Sequence, residues 1–107
     1  LDQFNSQAIS NSLWSYATLK HPSPELFDSA ADEAIKKLDQ FKTQEISNML
    51  RSYAKLGHTS PLLFDAAAYE AIKKLDQFTP QSIANTLWSH ATLSHPSVQL
   101  FDVSRVV

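Results

Sequence analysis

Several groups of residues in this 107-residue chain have types and spacings that could do chemistry. Ser15, His21 and Asp28 could form a nucleophile, base and acid, and they return as Ser52, His58, Asp65 and as Ser89, His95, Asp102. A catalytic constellation is needed once, so threefold copying points to structure instead. The chain has no nucleophile elbow, glycine-rich phosphate loop, HExxH or calcium loop. His90 and His95, five apart across a helix end, are a weak metal spacing. Without cysteine there is no thiolate ligand and no disulfide. The expectation is no catalysis, no metal and no cofactor in this segment.

The remaining candidates would bind rather than react. Residues 5, 8 and 12 of each repeat fall within about 60° on a helical wheel. They read Asn5, Ala8, Ser12, then Lys42, Glu45, Met49, then Thr79, Ser82, Thr86, changing chemistry while their surroundings stay nearly fixed. Such a stripe is expected if each repeat reads a different part of an extended ligand, or if solvent-facing positions simply drift. Trp14 and Trp88 could stack on bases, but a Trp at repeat spacing is first of all core. Arg51 stands in their place in the middle copy, and with Lys55 it could stack or reach a phosphate. Asn11, Asn48 and Asn85 share the Trp side of the helix and suggest a structural ladder between repeats. Stacked imidazoles at His21, His58 and His95 could bind a metal, although a His closing a helix C-terminus is the commoner arrangement.

These residues must be positioned by a repeated element. The tetrapeptide LDQF begins at residues 1, 38 and 75, a spacing of 37. Repeats therefore run 1–37 and 38–74, with a truncated third at 75–107. A period of this size marks helix–turn–helix units that stack on one another. The first helix of each unit is expected near Ser6–Leu19, Thr43–Leu56 and Pro80–Leu93. Its start is clearest at Thr79, an N-cap followed by Pro80 at N1. Phe4 with Ile9, Phe41 with Ile46 and Phe78 with Ile83 have the spacing of a hydrophobic staple. LDQF thus ends one helix and supplies the Phe that clamps the next.

The second helix starts at Ser23-Pro24 and Ser60-Pro61, with Asp32–Lys36 and Glu33–Lys37 as candidate ion pairs. Leu13, Leu50 and Leu87 fall on the apolar side of the first helix, with Trp roughly opposite. One side would pack on the partner helix and the other on the neighbouring unit. Three units are about the minimum for such a stack, so the segment is expected to be marginal alone and to contact further repeats of a parent chain. A single glycine, Gly57, argues against strand-and-turn architectures. The expected fold is an all-α solenoid of paired helices. No apolar run approaches the ~18 residues of a membrane span. The formal charge of −2 is unlike that of proteins that grip nucleic acid mainly through phosphates. Residues 103–107 depart from the Ala-rich pattern and suggest a capping unit or a different partner surface.

The stretch Phe78-Thr79-Pro80-Gln81-Ser82-Ile83-Ala84-Asn85-Thr86-Leu87-Trp88 resembles the octotricopeptide (OPR) repeats of algal and protist organellar proteins, which often precede a RAP domain. The family pattern is roughly F-x-P-Q-x-[LI]-[AS]-N-x-L-W-[AS]-x-A-x-L, and Ala91 and Leu93 continue the match. Pro22-Ser23-Pro24-Glu25-Leu26 is similar to the family's P-P-P-E-W turn. The resemblance covers the whole chain. It implies an α-solenoid in a chloroplast or mitochondrion that binds single-stranded RNA to stabilise, process or translate transcripts. The stripe and Arg51, Lys42 and Lys55 would then make the RNA contacts. The alternative is a protein scaffold within a large organellar assembly such as a ribosome or photosynthetic complex, which the near-neutral charge suits.

Overall fold

The computed structural model describes residues 3–94 and 100–101. His95, Asp102 and residues 103–107, with their expected roles, lie outside the described residues. The described chain is all helical: α1 (Ser6–Thr18), α2 (Pro24–Lys36), α3 (Thr43–Leu56), α4 (Pro61–Lys73) and α5 (Pro80–Thr92). Single 3₁₀ turns at Leu38–Gln40 and Leu75–Gln77 join α2 to α3 and α4 to α5. The second and third LDQF segments are therefore turns between helices, and Phe41 and Phe78 leave them with extended backbone.

Local chemistry sets the helix ends. The Asn5 side chain accepts the Ala8 N–H at 2.8 Å, and the Thr79 hydroxyl accepts that of Ser82 at 3.0 Å. Lys42 has no side-chain acceptor, so the middle helix uses the other half of a capping box, with the Lys42 N–H donating to Glu45 Oε1. At the C-termini of α1 and α3 a Schellman motif closes the helix through backbone groups. The His21 N–H donates to the Tyr16 carbonyl and the His58 N–H to that of Tyr53, both at 2.9 Å. The residue before each His must enter the left-handed region, as Lys20 (φ 53°) and Gly57 (φ 67°) do. Ser94 does the same after α5. The histidines do close these helices, but with the backbone amide rather than the ring.

Packing runs between alternate helices. α1 lies along α3 and α3 along α5, while α2 lies along α4, giving two layers. The core between them holds Ile9, Leu13, Phe27, Ala30, Ala34, Ile46, Leu50, Tyr53, Leu63, Phe64 and Ala67. Alanines in α2 and α4 let the layers approach closely enough for the aromatic rings to interlock. The Phe27 and Tyr53 rings meet edge-on at 4.8 Å, and Phe64 and His90 at 4.9 Å. Each pair is tied by a polar bond: Tyr53 donates its hydroxyl to the Phe27 carbonyl at 2.6 Å, and His90 Nε2 lies 3.2 Å from the Phe64 carbonyl.

Two lysines reach back to the segments that precede α1 and α3. Lys37 Nζ donates to the Phe4 carbonyl at 2.8 Å, and Lys74 Nζ to those of Asp39 and Phe41 at 2.9 and 2.7 Å. The Phe4, Asp39 and Phe41 carbonyls are thus each met by a lysine 33 to 35 residues on. Lys37 also pairs with Glu33 at 3.1 Å, as the sequence suggests. The Asp32–Lys36 pair does not form, because Lys36 turns towards Glu33 at 3.9 Å.

Candidate functional site

The stripe at residues 5, 8 and 12 divides according to its neighbours. In α3 and α5 it faces the helix before it, so Met49, Ser82 and Thr86 are buried. Glu45 accepts a hydrogen bond from Ser6 Oγ of α1 at 2.8 Å, and its backbone carbonyl accepts one from Ser10 Oγ at 3.2 Å. One helix on, Ser47 Oγ donates to the Ser82 carbonyl at 3.1 Å, and Thr86 Oγ1 donates to the same atom at 2.8 Å. Met49, Ser82 and Thr86 are therefore removed from any open surface by interhelical packing. Asn5, Lys42 and Thr79, the N-caps of α1, α3 and α5, stay exposed, while Ala8 and Ser12 are half-buried. The copy-to-copy variation of this stripe tracks a changing helix–helix contact.

The ladder between units is built by Ser10 and Ser47, which sequence reading passed over. A buried serine looks like a solvent-facing one in a single sequence. The available signal was its place one residue before each repeated Asn, on the side of the helix where the backbone of the next must come close. The asparagines are not this ladder. Asn11 is exposed, and Asn48 accepts a weak bond from Gln44 of its own helix at 3.4 Å.

The open face of the α1–α3–α5 layer carries a different set. At the helical period Gln44, Asn48, Arg51 and Lys55 share the side of α3 opposite the core. Gln7, Asn11 and Trp14 do the same on α1, and Gln81, Asn85 and Trp88 on α5. Trp14 is half-buried and Trp88 is 49% exposed, so these rings are surface groups and not the packed seam expected of them. The Arg51 guanidinium and the Lys55 ammonium each lie 5.4 Å from the Trp14 ring centroid. That geometry is a cation–π cluster, and it holds the indole in place from one side. A shallow open groove of about 380 Å³, lined by Trp14, Ser15, Thr18 and Leu19, flanks the ring on the other. No acidic residue shares this face within α1 or α5, and Glu45 of α3 is engaged by Ser6.

The arrangement can stack planar aromatic ligands, donate and accept hydrogen bonds through amides, and hold anions. The Ser15 and Ser52 hydroxyls donate to the carbonyls of Asn11 and Asn48 in their own helices. Asp28 is 2.8 Å from the Nε2 of His58 in the next unit, remote from both serines in role. Among the described residues no three His, Asp or Glu side chains gather as metal ligands would. None of the described helices is long and apolar enough to cross a membrane.

Residues 1–105 match the family model described as RNA-editing substrate-binding complex 6 protein (RESC6). No curated protein and no solved structure matches the chain.

Proposed function

Because this chain belongs to the RNA-editing substrate-binding complex 6 family, we propose that its α1–α3–α5 face is the part of that subunit that holds single-stranded RNA. Membership makes it a subunit of the kinetoplastid mitochondrial RNA-editing substrate-binding complex, an organellar RNA-processing factor. Of the two organelles the resemblance allowed, it is the mitochondrion.

In this reading the paired helices stack as an octotricopeptide-like solenoid with a unit of 37 residues, and successive units meet successive nucleotides. The observation that carries it is the outward Trp14–Arg51–Lys55 cluster, with Trp88 exposed on the corresponding face of α5. A Trp with an exposed flank and a cation on its other side is a base-stacking platform, worth about 1–3 kcal/mol per base. Arg51 and Lys55 meet phosphates, and the repeated amides of Asn11, Asn48 and Asn85 reach base edges or 2′-hydroxyls. Of the 5/8/12 stripe, Asn5, Lys42 and Thr79 lie at the rim of this face and contact the RNA backbone. Met49, Ser82 and Thr86 act indirectly, by setting the spacing between helices.

The test is ultraviolet crosslinking of the full-length subunit in its native complex, with the adducts mapped by mass spectrometry. Crosslinks should fall on peptides carrying Trp14 and Trp88. The double substitution W14A/W88A should weaken single-stranded RNA binding at least about fivefold per lost stack, with helicity unchanged. Full affinity in that variant would sink the proposal.

A further inference from the structure

The opposite layer has an outer face of another character. α2 and α4 are equivalent helices lying side by side, yet their exposed positions differ in chemistry. Where α2 carries Glu25 and Asp32, α4 carries Leu62 and Tyr69. Leu62 is 74% exposed and Tyr69 68%. They stand two turns apart on one side of α4, so they form a stripe and not scattered apolar residues. Between the helices runs an open groove of about 280 Å³, walled by Asp28, Asp32 and Leu62 and floored by Ala31 and Ile35. Neither Glu25 nor Asp32 has an ion pair among the described residues. Lys36 and Lys73 sit at the far, C-terminal ends of their helices, with Lys73 Nζ 5.2 Å from the Tyr69 ring.

We propose that this face is a second binding surface, which takes an amphipathic helix of another protein subunit. The occupant's apolar side lies on Leu62, Tyr69 and the groove floor, and its lysines or arginines meet Glu25 and Asp32. Charge complementarity selects that partner. An acidic wall repels RNA phosphates, and an exposed apolar stripe beside it gives an aliphatic or aromatic anchor a place to leave water. The helix lies with its basic end over the first two turns of α2, because Lys36 and Lys73 repel it at the other end. The proposal does not depend on the RNA-binding face, since the two surfaces belong to different layers.

The experiment places p-benzoylphenylalanine at position 69 of the full-length subunit and irradiates the assembled native complex. Mass spectrometry should map the adduct to one peptide of another subunit, with apolar residues at i, i+3 or i+4, and i+7 and several lysines or arginines. That peptide, made synthetically, should bind the subunit and lose at least tenfold in affinity against L62S/Y69S. Against E25Q/D32N it should lose several-fold and become less sensitive to salt. Both variants change exposed side chains, so their unfolding midpoints and RNA affinity should match the parent. Adducts to RNA, to a second copy of this chain or to an acidic peptide overturn the proposal. So does an absence of adducts at 69 when the subunit carrying the probe is fully assembled into the native complex.

Discussion

Tyr53 and His90 occupy equivalent places in α3 and α5 and solve the same problem. Each must satisfy a carbonyl of the opposite layer from inside the core, Phe27 for Tyr53 and Phe64 for His90. Burial, and then the nearby negative charges of Asp28 and Asp32, push the Tyr53 phenol well above the ordinary tyrosine range. An acid whose pKa is higher folded than unfolded stabilises the fold fully below the unfolded value. That stabilisation is lost as pH rises through it, because only the unfolded chain releases its proton. Circular dichroism should therefore show the helices weakening above about pH 10. Y53F should be less stable at neutral pH by about 1–3 kcal/mol, from the orphaned Phe27 carbonyl, but should have a flatter alkaline limb. An equally steep limb in Y53F would mean that other groups govern it. The equivalence also predicts that H90Y keeps the thermal midpoint near that of the parent, since from α3 the Tyr53 hydroxyl reaches the equivalent carbonyl, that of Phe27. H90A, which leaves that carbonyl and a cavity, should lose at least about 2 kcal/mol.

At the scale of elements, the helix ends and the LDQF turns decide the register of the stack. Lys20 and Ser94 hold left-handed backbone that suits Gly57. K20G and S94G should each raise urea-unfolding stability by about 0.5–1 kcal/mol, and G57A should lower it by about 1 kcal/mol. Nothing lies within 4 Å of the added methyl at Gly57, so a larger loss there would contradict a purely conformational cost. K74M keeps the aliphatic stem but frees the Asp39 and Phe41 carbonyls and part of Glu70, and should cost about 1.5–3 kcal/mol.

These elements were largely legible in the sequence because their signals are local. Ser-Pro and Thr-Pro pairs, the Phe–Ile staples and the fixed place of LDQF mark starts and stops within a few residues. The facing of each stripe was not legible. The wheel turns Trp14 about 100° away from Leu13, but it cannot say whether a neighbouring helix lies at 90° or 180° from the core side. The neighbours lie beside α3, on Glu45 and Met49 to one side and on Ser47 to the other. That placement buries Met49, Ser82 and Thr86 of the variable stripe and exposes Trp88.

Across the whole molecule the formal charge of −2 conceals a separation of charge between the layers. α1 and α5 contain no Asp, Glu, Lys or Arg, and α3 presents Arg51 and Lys55 outward while Glu45 is engaged. Exposed acids collect on α2 and α4, as Glu25, Asp28, Asp32 and Asp65. Net charge is therefore a poor guide to partners here, because an RNA strand on one layer is kept two helices away from the acids of the other. The same separation limits how electrostatic the RNA contact can be. Two phosphate-facing cations on a single strand release counterions with a slope of log K against log salt near −0.7 for each, so about −1.4 in all. That is shallow, and it assigns most of the affinity to stacking. Titrations of single-stranded RNA between low and moderate salt separate the two contributions. W14A/W88A should lower affinity at every salt concentration and leave the slope alone, whereas R51A/K55A should bring the slope towards zero with a smaller loss at high salt. Arg51 and Lys55 also hold the Trp14 ring, so some stacking loss in the second variant is expected. A slope several times steeper in the parent chain would place the RNA on basic residues other than these, and the stacking platform would lose its claim to the ligand.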